Sequence, residues 1–141
     1  MVEPLACAIT TIGLDHEAYL GSTLEAIAFE KAGIVKPAVP VVLGRIESST
    51  RLLIEQRASE VGAPVYRLEH EFQCDGPSTA DCRYAGRSSH YDHLSCPLQG
   101  RFQLDNIACS LALIELARER GLGVSETAVR SGLQYLSLIH I

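Results

Sequence analysis

The stretch ITTIGLDHEAYLGSTLEAIAFEKAGIVKPAVPVVL, residues 9–43, decides the fold of this chain. It predicts a strand, a loop, a helix, a turn and a second strand. Ser22 and Glu25 form a capping box, so we expect the helix to begin near Thr23. Gly33 follows the last periodic residues and is expected to end it. A strand, a helix and a strand in this order are typical of a parallel sheet covered by helices.

One lysine of this helix lies on the face that should be buried. Leu24, Ile27 and Ala28 occupy positions i, i+3 and i+4, and position i+7 is Lys31, within about 20° of Leu24 around the helix axis. Such a lysine must reach solvent, pair with an acid such as Glu25, or be chemically modified. A lysine of lowered pKa can react with CO₂, and the carbamate so formed can lie beside a metal. The residues alone leave these alternatives open.

A histidine follows the first predicted strand. His16 comes directly after Asp15, at the place where open parallel sheets bind ligands. A neutral imidazole there can ligate Mg²⁺ or contact a phosphate, and it can equally hydrogen-bond Asp15 or a backbone carbonyl. Both roles are consistent with the residues.

Strands and helices continue to alternate up to residue 68, which favours an α/β fold with a parallel sheet and flanking helices. The predicted strands are Pro4–Ile12, Val39–Leu43 and Pro64–Leu68. The predicted helix between the last two is Ser48–Val61, with Leu52, Leu53, Ile54 and Val61 as its inner residues.

The pattern changes after residue 68. Short segments at 72–75, 83–85 and 90–96, separated by Gly76-Pro77 and Gly86, predict a small antiparallel β-ribbon appended to the parallel sheet. A buried helix should follow over Asp105–Arg120 and an amphipathic one over Ser125–Tyr135.

Two groups of polar residues in this second half can be interpreted in more than one way. Asn106, or its neighbour Asp105, can cap the predicted helix, and an amide there can equally offer the paired donor and acceptor of an adenine edge. His90, Asp92 and His93 look like metal ligands, but their spacing lacks a helical H-E-x-x-H frame. We therefore do not expect a metal on the ribbon.

The length, charge and cysteine content of the chain limit the classes of function that it can have. The 141 residues suit about one domain, and a net charge of −5 gives no electrostatic footprint for nucleic acid. Five cysteines without a C-x-x-C pair are expected to be reduced thiols, with Cys7 and Cys109 in the core. Neither an N-terminal leader nor an apolar stretch of about 18 residues is evident. We expect a cytoplasmic protein without a membrane partner.

These motifs together resemble the folylpolyglutamate synthase/dihydrofolate synthase family of the Mur ligase superfamily. The resemblance spans Leu5 to about Tyr135 and is strongest in the first third. Its residues are Asp15-His16, Leu20-Gly21, Thr23-Leu24-Glu25, Ile27-Ala28, Glu30-Lys31-Ala32-Gly33-Ile34, Lys36-Pro37 and Val39-Pro40-Val41-Val42. Other Mur ligases keep a histidine, a glycine and a lysine at similar places, but Glu-Lys-Ala-Gly-Ile followed by Lys-Pro is typical of the folate branch.

The segment Gly100–Asn106 is similar to the family's adenine-contacting G-x-H-Q-x-x-N motif. The resemblance assigns adenine contacts to Asn106 and Gln103. Phe102 stands where a histidine is usual, so this sequence departs from the motif at one contact position.

The resemblance implies an ATP- and Mg²⁺-dependent ligase that joins L-glutamate to folate or dihydropteroate through an acyl phosphate. By the same resemblance, His16 is a Mg²⁺ ligand and Lys31 is carbamylated and acts near a second metal. Family members of this kind are expected to be monomers at full length. The alternatives are another Mur-type amino-acid ligase and a non-enzymatic nucleotide-binding scaffold.

The resemblance also predicts that residues 1–135 are the latter part of the P-loop NTPase-like central, ATP-binding domain. The family's phosphate loop would then precede Met1, and its C-terminal glutamate-ligase domain would follow Tyr135. This chain is therefore expected to be inactive alone. Residues 136–141, LSLIHI, depart abruptly from the helical pattern and resemble one reading frame of a common sequencing adapter. We hypothesise that they are not native sequence.

Overall fold

The structure, a computed structural model, describes residues 6–10, 33, 35–98 and 100–139, except for the side chains of residues 101 and 135–139. The chain divides into two compact units, Met1–Arg67 and Leu68–Ile141. The predicted helix that begins near Thr23 lies outside the described residues.

The first unit contains a three-stranded parallel sheet in the order β1-β2-β3, which confirms the predicted α/β class. The strands are β1 (Cys7–Ile9), β2 (Val41–Leu43) and β3 (Val65–Arg67). Each strand is only three residues long. The apolar runs that predicted the strands are longer, since apolar residues continue beyond the residues whose backbones pair. The three strands run in one direction, so Ile9, Leu43 and Arg67 end at the same edge of the sheet.

Helix α1 (Ser48–Val61) has the predicted bounds. The Thr50 hydroxyl donates to the carbonyl oxygen of Glu47 at 2.8 Å at its start, and Gly62 ends it in the left-handed conformation, with φ 72°. Its buried residues are Thr50, Ile54 and Ala58, spaced four apart on one face.

The prediction that four residues of α1 face the core is wrong for one of them. Leu52 is 60% exposed. It lies two positions before Ile54, about 200° around the helix, so both cannot face the core. Leu53 is half-buried, and Val61 is partly buried against the core as predicted.

The core of the first unit joins α1 to the sheet. Its buried residues are Ile9, Val35, Val41, Leu43, Ile46, Ile54, Ala58 and Ala63. β2 is the central strand of the sheet, and all three of its residues are buried.

Gly44 is required where the carboxyl ends of β1 and β2 approach each other. Its N–H donates to the Ile9 carbonyl at 2.8 Å, and a Cβ there would lie 2.2 Å from the carbonyl oxygen of Thr10. We expect Gly44→Ala to lower the free energy of unfolding by about 2–4 kcal/mol, because backbone must move to relieve the overlap. Urea denaturation measures the loss. Gly123→Ala is the control, since a Cβ at Gly123 meets nothing within 4 Å. Equal stability of the two variants would contradict the prediction.

The second unit contains a three-stranded antiparallel sheet, which confirms the predicted ribbon. Its strands are β4 (Gln73–Ser78), β5 (Asp81–Ala85) and β6 (His90–Leu94), in that order. Gly76 and Pro77 were predicted to separate strands, but they lie inside β4. The pairing of β4 with β5 shifts register between Asp75 and Ser78, and such an irregularity accommodates a proline within a strand.

Helix α2 (Arg101–Glu119) packs against β4 and β5 within this unit. It begins four residues before the predicted start. Neither Asp105 nor Asn106 caps it, because both lie in its second turn and Gly100 occupies the N-cap position. The buried residues of α2 are Ile107, Ala108, Cys109, Leu111, Ala112, Glu115 and Leu116.

Helix α3 (Glu126–Ile139) closes the described chain. Val129 and Leu133 are buried, at the spacing of one helix face. The helix was predicted to end at Tyr135, but its backbone continues through Ile139, so the change of sequence pattern at residue 136 is not a helix end. No described helix is long and apolar enough to cross a membrane.

Candidate functional site

The predicted site residues fall in two parts of the chain. His16 and Lys31 lie outside the described residues, so their predicted roles as metal ligand and carbamate remain predictions. Gln103 and Asn106 are both described, in the first two turns of α2.

Gln103 and Asn106 form an amide pair on one side of α2. They are three residues apart, and the Asn106 Nδ2 group donates to Gln103 Oε1 at 3.2 Å. Asn106 is exposed and Gln103 is half-buried. Their mutual bond does not use the Gln103 amino group or the Asn106 carbonyl oxygen. The pair can therefore offer one donor and one acceptor to a planar ligand.

The conformation at the start of α2 shows whether Asn106 caps the helix. Gly100 makes no side-chain cap bond and has φ 123°, in the region that favours glycine. Since Asn106 lies inside the helix, the capping role that its sequence position allowed is excluded. Its exposed amide bonds Gln103 within the helix instead.

An aromatic ring stands beside the amide pair. Phe102 is 73% exposed, which is unusual for so large an apolar side chain. It lies four residues before Asn106, so the two side chains leave the helix only about 40° apart. We call Phe102, Gln103 and Asn106 the α2 face.

An open cavity of about 550 Å³ adjoins the start of α2 from another direction. Gly100 and Leu104 line it, together with the end of β4 and the turn that joins β4 to β5. Leu104 leaves the helix about 160° from Phe102, so the cavity and the α2 face are separate features. The structure does not bring Gln103 or Asn106 into the cavity.

The histidines of the ribbon are held in exposed ion pairs. His90 Nε2 lies 3.5 Å from Asp92 Oδ1, and His93 Nδ1 lies 3.2 Å from Asp81 Oδ1. In the described part of the chain, no group of three histidine, cysteine or acidic residues is arranged to hold a metal ion.

Burial disfavours the thiolate form of several of the cysteines. All five are free, and Cys109 is buried as predicted, whereas Cys7 is only half-buried. Burial raises the pKa of Cys109 to about 11, and burial likewise raises the pKa of Cys74 and Cys82. These thiols stay protonated at neutral pH and act as small core residues.

A buried carboxylate that the sequence did not reveal joins α2 to the turn after β5. Glu115 is 5% exposed and accepts hydrogen bonds from the Tyr84 hydroxyl at 2.5 Å, the Ser89 N–H at 2.8 Å and the Ser88 hydroxyl at 2.9 Å. The Ser88 N–H also donates to it. Burial, and secondarily the Glu115 carboxylate, raise the pKa of Tyr84, so its hydroxyl remains a donor. Because these bonds meet both oxygens of Glu115, we assign it a structural role.

Comparisons with known proteins identify relatives over nearly the whole chain. No family model matches. The dihydrofolate synthase/folylpolyglutamate synthase of Bacillus subtilis is 34% identical over 138 residues, covering 94% of this chain and 32% of the relative. The chain thus spans about a third of the length of the curated relatives it matches.

Solved structures agree in fold. A complex of folylpolyglutamate synthase with AMPPCP and folate matches with a TM-score of 0.85 and 26% identity, over 93% of this chain and 33% of that one. The folylpolyglutamate synthase of Thermotoga maritima matches with a TM-score of 0.80 and 29% identity, over 94% and 30% of the two chains. The parallel sheet and the antiparallel sheet are thus those of the Mur ligase fold.

Proposed function

This chain belongs to the folylpolyglutamate synthase/dihydrofolate synthase family, and we propose that it is part of an ATP-dependent ligase that joins L-glutamate to folate or dihydropteroate. The observation that carries the proposal is the 34% identity to the Bacillus subtilis enzyme across 94% of the chain. Residues 1–135 would then be the latter part of the central, ATP-binding domain. The chain would be inactive alone, because the phosphate loop and the glutamate-ligase domain would lie outside it.

The proposed reaction has two steps. A carboxylate oxygen of the folate attacks the γ-phosphorus of ATP, the bond to the β-phosphate oxygen breaks, and ADP leaves an acyl phosphate. The amino nitrogen of glutamate then attacks the acyl carbon, phosphate departs with the electron pair of the broken C–O bond, and the nitrogen loses a proton. The products are the amide, ADP and phosphate.

Magnesium would neutralise phosphate charge in this reaction. His16 is the proposed ligand, and Lys31, as a carbamate, would act near a second metal. Both residues lie outside the part of the chain that the structure describes, so their assignment rests on the family resemblance.

The α2 face is the proposed adenine contact. The Asn106 and Gln103 amides can together present a donor and an acceptor, which the Watson–Crick edge of adenine matches. A related structure holds AMPPCP, an ATP analogue, which supports nucleotide binding by this family. In this chain, the contact that supports the assignment is the hydrogen bond from Asn106 Nδ2 to Gln103 Oε1 at 3.2 Å.

We expect Asn106→Ala to raise the KM for ATP about 3- to 20-fold with little change in kcat, because the lost hydrogen bonds lie far from the reacting phosphate. Initial rates at varied ATP concentration measure this in the full-length gene product. Ser110→Ala is the control, since Ser110 is exposed one turn further along the same side of α2. Equal KM values for Asn106→Ala and wild type would contradict the assignment.

The activity is tested by incubating the full-length gene product with ATP, Mg²⁺, L-glutamate and either tetrahydrofolate or dihydropteroate. The proposal predicts a product heavier by one glutamyl residue, with stoichiometric release of phosphate. Ligation of another amino acid alone would favour a different Mur-type ligase. ATP binding without any ligation would favour a non-enzymatic scaffold.

We also propose that the full-length protein is cytoplasmic and monomeric. Five free thiols fit a reducing compartment, and the family resemblance implies a monomer. Size-exclusion chromatography with light scattering tests the monomer.

A further inference from the structure

We propose that Cys74 and Cys82 are an oxidation site, at which a peroxide converts the two thiols into an intramolecular disulfide. The two residues lie on neighbouring antiparallel strands, β4 and β5, and both thiols are free in this structure. The new bond would fasten together the two strands against which α2 packs. Its formation is independent of the proposed ligase activity.

The strand register places both side chains on one face of the antiparallel sheet. Cys74 pairs with Tyr84, and Cys82 lies two residues before Tyr84 on the same strand, so the three side chains point to the same side. Diagonal neighbours of this kind lie about 7–8 Å apart in a regular sheet, whereas a disulfide needs Cα atoms within about 7 Å of each other. The register therefore comes close to disulfide geometry.

Two local features favour contact between the two thiols. A hydrogen bond joins the side chains of Cys74 and Cys82. Gly76 leaves room beside Cys82, since a Cβ at residue 76 would lie 2.8 Å from Cys82 Cα and 3.2 Å from Cys82 Cβ. The Cys82 side chain can therefore lean toward Cys74 without meeting another side chain at residue 76.

A small oxidant has a route to the pair. Cys74 is half-buried, whereas Cys82 is buried. Cys82 and Gly76 are among the residues that line an open cavity of about 200 Å³. We expect the more exposed Cys74 to react with the oxidant first and Cys82 to complete the disulfide.

The reaction with hydrogen peroxide has two steps. The thiolate sulfur of Cys74 attacks one peroxide oxygen, the O–O bond breaks, and the departing hydroxide is protonated to water, which leaves a sulfenic acid on Cys74. The thiolate of Cys82 then attacks the Cys74 sulfur, the S–O bond breaks, and hydroxide leaves to become a second water. Two electrons pass from the sulfurs to the peroxide, and one S–S bond replaces two S–H bonds.

Oxidation should be slow at neutral pH and faster in alkaline buffer. Burial raises the pKa of both thiols, and the carboxylates of Asp75, Asp81 and Asp105 and the thiol of Cys96 act in the same direction. Because the thiolate is the nucleophile, the rate should rise about tenfold per pH unit below the pKa. We therefore expect the site to respond to sustained oxidation rather than to a brief exposure.

The test is a map of the thiols in the full-length gene product after incubation with hydrogen peroxide. The remaining thiols are alkylated in denaturant. Trypsin and a protease that cleaves before aspartate then release Cys74 on residues 68–74 and Cys82 on residues 81–83. These two peptides should be linked after oxidation and separate on reduction, and the link should form about tenfold faster at pH 8 than at pH 7.

Matched variants identify the partners. Cys74→Ser should abolish the linked peptides and leave Cys82 available for alkylation. Cys96→Ser is the control, because Cys96 is buried two residues beyond the end of β6 and its loss should leave the link unchanged.

Two results with the wild-type protein would overturn the proposal, and neither depends on whether a variant folds. One is complete alkylation of Cys74 and Cys82 after prolonged exposure to peroxide at pH 9. The other is a disulfide that joins Cys82 to Cys96 in place of Cys74.

Discussion

Replacing Lys31 with alanine in the full-length gene product is expected to lower kcat for glutamate ligation at least about 100-fold while largely preserving the fold. The sequence predicts that this lysine shares a helix face with Leu24, Ile27 and Ala28, where an ordinary ammonium would be costly to bury. Alanine suits that face, so a structural lysine would be replaced without loss of activity. If the lysine instead acts as a carbamate beside a metal, its replacement by alanine should abolish activity.

If Lys31 is carbamylated, the activity of the full-length gene product should also depend on CO₂. Its formation consumes CO₂ and releases a proton from the amine, so wild-type activity should fall in CO₂-depleted buffer and return when bicarbonate is added. Lys31→Ala should show neither response. The control is Arg57→Ala, which removes an exposed cation that pairs with Glu60 at 3.8 Å on α1. Full activity of Lys31→Ala would contradict the role.

Replacing Glu115 with alanine is expected to destabilise the second unit by about 3–5 kcal/mol. The change removes the acceptor for the Tyr84 hydroxyl and the backbone N–H groups of Ser88 and Ser89. Each donor left unpaired inside the protein costs about 1–3 kcal/mol, and the cavity left by the side chain adds to this.

Hydrogen exchange gives a local readout of this loss. The N–H groups of Ser88 and Ser89 should exchange faster in Glu115→Ala than in wild type, and urea denaturation should show the global loss. Glu119→Ala is the control one turn further along α2, where the carboxylate is 39% exposed and 3.7 Å from Arg87. Its cost should be below about 1 kcal/mol. Equal losses for the two variants would contradict the structural role of Glu115.

The elements that local sequence determines were predicted well. Helix α1 has the predicted bounds because its stop is local: Gly62 adopts the left-handed conformation that glycine favours. The parallel and antiparallel sheets follow from strands alternating with helices in one half and short strands without helices in the other.

Errors arose at a helix start and on a helix face that do not follow the residues with the strongest local preference. The start of α2 was placed too late because Asp105 and Asn106 are good caps, whereas Gly100 begins the helix without a side-chain cap. Thr50 is buried in α1 in place of Leu52, since its hydroxyl is satisfied by the Glu47 carbonyl.

The Glu115 network could not be predicted, because its partners lie 26 to 31 residues away in sequence. Gln103 and Asn106, by contrast, were named in advance through the resemblance of the segment Gly100–Asn106 to the family's motif. What the sequence did not show is that the two amides bond each other beside an exposed ring.

The most direct test of the central claim is mass spectrometry of the products formed by the full-length gene product from ATP, L-glutamate and tetrahydrofolate or dihydropteroate. A folate heavier by one glutamyl residue, formed only with ATP and lost in Lys31→Ala, is the predicted result. A folded full-length protein that binds ATP but forms no glutamyl product from either substrate would contradict the assignment as a folate–glutamate ligase.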